Sequence, residues 1–290
     1  YQTFDLKKGW NWVSFNVTSD DLFDPEKLLD RLPWKQNDVL TDMNNDVTLV
    51  YLNGHWLASE SLSKIYISPK KAYAIKVQED TKFPVPGEII RQEDARTITV
   101  KSGWNGIGYT PMLNLTVETA LSDYYDKARP GDVVKSQEEF AYFTVTGGVG
   151  RWRGNLQYMK PGQGYMLLRK GEQEVSFTYP FYEPNSTFID EWAYVSNRAP
   201  QRRSAKSTMT VSATVEGVEL EDGDRLVAYA DGDVVGIADA ASMVDVQTTE
   251  PLFYLSIGGE NQRGIWFAIE REGEIIASTR ELMNFKPNAV

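Results

Sequence analysis

GWNWVSF, residues 9–15, returns as GWNGIGY at residues 103–109. The same Gly-Trp-Asn opening before an apolar, β-type run, 94 residues apart, indicates an internal repeat of small-domain size. Three further anchors follow in the same order. Asp38-Val39-Leu40 meets Asp132-Val133-Val134 at the same offset, and His55-Trp56 meets Arg151-Trp152 two residues later than that offset. Pro69-Lys70-Lys71-Ala72-Tyr73 meets Pro161-Gly162-Gln163-Gly164-Tyr165 two residues earlier than it. Two copies of one module, separated by small insertions and deletions, account for all four.

Each copy reads as an opening strand (residues 3–16 and 97–109), a short helical stretch and paired strands. The first helix is expected to have Asp24 as N-cap, Pro25 in its first position and Leu28, Leu29 and Leu32 as its apolar stripe. In the second copy Thr116 is the expected cap, followed by Leu121, Tyr124 and Tyr125. Residues 47–52 then turn through Asn53-Gly54 into residues 55–58, a hairpin signal because both turn residues tolerate φ > 0. Gly147-Gly148-Val149-Gly150 replaces that turn in copy two. Final strands at 72–77 and 164–168 each follow a proline turn. Within the motif itself, Gly permits a tight turn, Trp is expected to fill the core, and Asn can bond neighbouring backbone.

Residues 181–206 break the pattern with two prolines and a basic cluster (Arg198, Arg202, Arg203, Lys206). They read as a linker whose Phe188, Ile189, Trp192 and Tyr194 pack onto a neighbour. From residue 207 short alternating strands recur: MTVSATVEG (209–217), RLVAYADGDVVGIAD (225–239), LFYLSIGG (252–259), GIWFAIER (264–271) and EIIASTR (274–280). Asp231-Gly232 is a second hairpin turn, and the spacing is that of a sandwich. The expected fold is mainly β with short helices (α+β). Its parts are module 1 at 1–96, module 2 at 97–180, a packing segment at 181–206 and an immunoglobulin-like β-sandwich at 207–290.

Composition bounds the function. Of 290 residues, 41% are hydrophobic and 24% charged, which are globular values. A formal net charge of −11 disfavours nucleic acid and anionic membrane as partners. No apolar run approaches the roughly 18 residues of a membrane span. The chain begins at Tyr1 without an initiator Met and reads as a trimmed or processed piece of a longer protein. With no cysteine there are no disulfides, thiolate metal sites or Cys nucleophile.

GWNWVSF and GWNGIGY, together with GDVVKSQEEFAYF (131–143), Trp152-x-Gly154-x-Leu156 and KPGQGYML (160–167), resemble a repeat of large secreted or surface proteins of Bacteroidetes. VEGVELEDGDRLVAYADGDVVGIAD (215–239) is similar to the small β-sandwich modules that accompany it. The first copy departs from the pattern at Asp42-Met43-Asn44 and Lys70-Lys71. The resemblance implies an exported, multidomain, adhesive or surface-anchored protein and carries no catalytic residues with it.

Candidate sites are few. The single histidine, His55, sits beside a hairpin turn, so a multi-His zinc site is impossible and a Ser-His-Asp triad would have to use it. Gly147-Gly148-Val149-Gly150 lacks the helix and Lys-Ser/Thr of a phosphate loop. Asp222-Gly223-Asp224, Asp231-Gly232-Asp233 and Asn44-Asn45-Asp46 place oxygens around turns that a calcium ion would accept, although Asp-Gly is above all turn chemistry. The sequons at Asn16, Asn114 and Asn185 mean little in a bacterial protein. Trp10, Trp104, Trp56 and Trp152 recur at equivalent places and are expected in the core. Trp12, Trp34, Tyr124 and Tyr125 lack counterparts and are the ligand-binding candidates, as aromatic platforms for sugar rings, with packing the alternative reading of each. The expected function is a non-enzymatic extracellular structural or adhesion segment, with no cofactor and no metal. A glycan-binding module of a polysaccharide-handling system is the alternative, and a secreted hydrolase working through two of the 41 acids comes third. A surface glycan or a host or cell-surface protein is the expected partner of a monomeric chain.

Overall fold

The structure, a computed structural model, describes residues 2–18, 33–45, 47–58, 67–182, 205–239, 252–260, 264–279 and 282–289. The helix expected from Asp24, and Phe188, Ile189, Trp192 and Tyr194, lie outside those residues. The protein is mainly β, built of antiparallel sheets with few and short helices. It forms two compact units, Tyr1–Ser136 with Ala141–Ser196 and Gln137–Phe140 with Asn197–Val290.

In the first unit, the strands of residues 1–96 are β1 (Gln2–Leu6), β2 (Gly9–Val13), β3 (Val17–Thr18), β4 (Val39–Asp42), β5 (Thr48–Leu52), β6 (His55–Ala58), β7 (Tyr73–Val77), β8 (Thr81–Val85) and β9 (Glu88–Ile89). Those of residues 97–180 are β10 (Thr97–Val100), β11 (Gly103–Ile107), β12 (Leu115–Thr116), β13 (Val133–Lys135), β14 (Phe140–Thr146), β15 (Val149–Gly154), β16 (Tyr158–Met159), β17 (Tyr165–Arg169) and β18 (Val175–Thr178). Among the described residues each half has one five-stranded sheet, ordered β2-β7-β4-β5-β6 and β11-β17-β13-β14-β15.

The pairing registers coincide. Trp10 lies opposite Lys76 and Val13 opposite Tyr73, as Trp104 lies opposite Leu168 and Ile107 opposite Tyr165. Tyr51 faces Trp56 as Phe143 faces Trp152. The Tyr73 hydroxyl accepts from the Ser68 N–H and that of Tyr165 from the Lys160 N–H, both at 2.7 Å. Asp38 accepts from Lys35 and Gln78 backbone N–H groups as Asp132 does from Arg129 and Lys170. One pairing differs, since β3 joins β9 whereas β12 joins β16.

The opening strand expected in each half is in fact two strands in two sheets. β1 pairs with β8 and β10 with β18, while β2 and β11 enter the five-stranded sheets. The corner explains the Gly-Trp-Asn motif. Gly9 and Gly103 take φ of 99° and 88°, where a side chain would be strained. The amide of Asn11 then receives the Lys7 N–H at 3.0 Å and donates to the Lys7 carbonyl at 2.8 Å. Asn105 does the same for Lys101 at 2.9 and 2.8 Å. Backbone groups that lose their ladder at the corner are thereby paired by a side chain.

Trp56 and Trp152 are core residues of their halves, as expected. Trp10 and Trp104 are not. They project from the opposite sheet face and are only partly buried. The Thr116 hydroxyl caps Val117–Ala120 by accepting from the Thr119 N–H at 3.2 Å, and the 3-10 turn Ser122–Lys127 follows. Positive φ at both Asn53 and Gly54 (52° and 82°) makes the expected two-residue hairpin, and Gly147-Gly148 and Asp231-Gly232 repeat it. Gly150, expected in the turn, belongs to β15, where an added Cβ would lie 2.3 Å from the Phe143 ring.

The second unit has β19 (Ser207–Thr214) paired with β22 (Leu252–Gly259). Its other sheet is ordered β21 (Asp233–Asp239), β20 (Arg225–Ala230), β23 (Trp266–Arg271), β24 (Glu274–Ser278). Met209, Leu226, Phe253, Leu255, Phe267 and Ile269 from both sheets form one core.

Candidate functional site

The aromatic candidates do not assemble into a platform. Trp12 is buried and Tyr124 is fully so, and neither offers a ring face to a sugar. For each of them packing was the reading weighed against the ligand-binding role that the lack of a counterpart suggested. Each in fact fills space that its own surroundings create. Tyr124 donates to the Asp132 carboxylate at 2.7 Å, and burial, the larger cause, together with that bond holds its phenol well above the ordinary range. Trp34 is partly buried, edge-on to Trp56 at 4.8 Å. Tyr125 alone is exposed, at 41%, with its hydroxyl closed onto the backbone of Gly150.

Of the turn acids, Asp46 lies outside the described residues, and Asp224 is engaged. The Asp224 carboxylate takes both the Nε and a terminal nitrogen of Arg271 at 2.8 Å, which holds it at about 2. Asn44, instead of facing an ion, clamps Gly106 by donating to its carbonyl at 2.8 Å and receiving its N–H at 2.7 Å. Asn16 is buried, with its amide on the Pro111 carbonyl at 3.4 Å. His55 is exposed at the hairpin end. Among the described residues no three His, Asp or Glu side chains gather as metal ligands.

Two features that the sequence reading missed are better built. The first is the seam between the halves of the first unit. The Ser14 N–H donates to Gly162 O at 3.0 Å, and the Gly108 N–H to Lys70 O at 3.0 Å. The Gly164 N–H donates to Trp12 O at 3.2 Å, and the Ala72 N–H to Gly106 O at 3.4 Å. Each bond is the other with the halves exchanged. The backbones meet so closely that a Cβ on Gly108 would lie 1.9 Å from Pro69 O and one on Gly164 2.6 Å from Val13 O. Beside these bonds lie Trp12, Ala74 and Met166, flanked by Trp10, Met43 and Trp104. Lys135 lies there too, fully buried, its Nζ 4.7 Å from the Trp104 ring and 5.7 Å from that of Trp12. Burial pushes its ammonium down to about 7. A lysine closing the apolar Val133-Val134 run was the available signal, but only the fold brings two tryptophans to it.

The second feature is on the outer face of the four-stranded sheet of the second unit. Tyr229 and Trp266, cross-strand partners, stack at 4.5 Å and 15° and are both partly exposed. Next to them Arg225 pairs with Glu270 at 3.0 Å, and Glu270 also accepts from the Tyr229 hydroxyl, which this bond pushes up to about 12. The alternation within β20 and β23 puts both rings on this face, and the register of the two strands makes them adjacent.

Compared with protein-family models, with curated proteins and with solved structures, the chain matches none.

Proposed function

We propose that the chain is a non-enzymatic structural or adhesion segment of a larger exported surface protein. Residues 1–96 and 97–180 are its tandem homologous modules, and residues 207–290 are an immunoglobulin-like β-sandwich. Coincident strand order and register support the duplication, and the resemblance to secreted Bacteroidetes repeats supports export. The observation that carries the reading is the reciprocal seam. Trp10, Trp12 and Trp104 are spent there and Trp34 and Tyr124 in the cores, and the seam joins two modules into one unit. Such a unit spaces or presents its neighbours.

A glycan-binding role is the second reading, carried by the Tyr229–Trp266 pair beside Arg225 and Glu270. An apolar ring edge next to hydrogen-bonding charges is the chemistry a sugar needs. One experiment addresses both. The chain is incubated with a panel of host and plant polysaccharides while reducing ends and Trp fluorescence are followed. Silence in both channels is expected. Reducing ends released by the chain and lost on changing one Asp or Glu would reject the non-enzymatic reading. A saturable fluorescence shift lost in Trp266→Ala would establish the second reading instead.

A further inference from the structure

Among the described residues, the interior of the second unit is open along one side. A groove of about 360 Å³ lies between β19 and the β23–β24 edge, with Leu226, Phe267 and Ile269 beneath it and Val211, Ala213 and Val215 along its wall. Among the described residues β19 has only β22 as a strand neighbour and β24 only β23. In an antiparallel pair, alternate residues point N–H and C=O away from the partner strand. Asn288 and Ala289 reveal which these are on β19. The Asn288 N–H donates to Thr208 O at 3.0 Å, and the Thr210 N–H donates to Ala289 O at 2.9 Å. Ser212 and Thr214 have the same parity, so their N–H and C=O groups point outward at the lip of the groove. Asn288 and Ala289 run in the direction of β19, and the ladder they begin at Thr208 and Thr210 is continued by these outward groups.

We propose that this groove takes an extended peptide strand of another polypeptide, added parallel to β19. The strand carries apolar side chains at alternate positions and a Lys or Arg at its C-terminal end. The backbone ladder at Ser212 and Thr214 supplies hydrogen bonds, and the alternation of the strand directs every second side chain onto the apolar floor. Glu216, exposed at the far end of the same wall, meets the basic terminus of a strand running in this direction. A sugar would leave the floor unused, and a purely apolar molecule would leave the outward backbone groups bare.

The test uses the full 290-residue chain and a fluorescein-labelled peptide of alternating valine and threonine ending in two lysines. The controls are a peptide with serine for every valine and one with the lysines moved to the N-terminus. Anisotropy is expected to show saturable binding of the first peptide, no binding of the serine peptide, and binding several-fold weaker when the lysines are moved. Ser212→Pro removes an outward N–H and leaves the β19–β22 ladder intact, so it should weaken binding about tenfold. Hydrogen exchange on the unmutated chain decides the matter even if that variant misfolds. The peptide should slow the amides of Ser212 and Thr214 and leave those of β21 unchanged. Absence of saturable binding, equal binding of the serine peptide, or protection away from β19 would overturn the proposal. So would protection of Ser212 and Thr214 that appears without peptide as the chain is concentrated, because the occupant would then be a second copy.

Discussion

Lys135 places an ammonium where the corresponding strand position of the first half carries Thr41, each next to the strand that pairs with the Gly-Trp-Asn strand. Burial holds its pKa at about 7, below the ordinary 10.5 of a lysine. Between those values the unfolded chain binds more protons, so stability rises with pH across that window, by up to ~1.4 kcal/mol per unit. Lys135→Met should therefore raise stability at pH 7 and flatten the slope between pH 7 and 9, as read from urea midpoints. An unchanged slope would assign it to another group. At the motif, Asn105→Ala removes the pairing of the Lys101 N–H and C=O and should cost about 1–3 kcal/mol, with Asn11→Ala costing a similar amount. Denaturation of the two variants checks whether the corners are equivalent. Trp104→Ala should cost less than the ~3–5 kcal/mol of a core aromatic, because the ring is only partly buried.

Among the elements, two glycines separate backbone conformation from close approach. Gly54 has φ of 82° and open space where a Cβ would go, so Gly54→Ala should cost about 1 kcal/mol. A Cβ on Gly108 would meet Pro69 O at 1.9 Å, and Gly108→Ala should cost more than that by parting the seam. Thermal unfolding of the two variants gives the order. The hairpins were legible in the sequence because Asn-Gly, Gly-Gly and Asp-Gly encode their turns locally. The strands of residues 207–290 were legible because period-2 alternation survives on a half-buried sheet. The corners at Lys7 and Lys101 were hidden, since the apolar alternation runs through them and the break depends on a side chain four residues away. Which space Trp12 and Tyr124 fill was hidden for a related reason. An aromatic without a counterpart in the other copy looks free until the space it fills is known.

On the scale of the whole molecule, a second branch of the pH curve comes from the buried tyrosines. Burial raises the phenols of Tyr109 and Tyr179, so above pH 10 the unfolded chain loses those protons first and stability falls. A maximum between pH 9 and 10 is expected in calorimetric scans. The seam makes a prediction of its own: residues 1–96 and 97–182, produced separately, should associate one to one. Sedimentation of the mixture checks this, and two independent species would reject it. The exchange symmetry of the seam has a historical consequence. An interface whose bonds are each repeated with the partners swapped is what two identical subunits make about a two-fold axis. If the halves are copies, their ancestor was a homodimer of single modules, later joined end to end. In that ancestor any substitution had to be tolerated twice. Fusion lifted the constraint, so the position that holds Trp12 in one half could become Gly106 in the other, where a Cβ would already stand 3.0 Å from Met43. The departures from symmetry at Trp12 and Lys135 are then the younger part of the interface, and the reciprocal backbone bonds are its oldest.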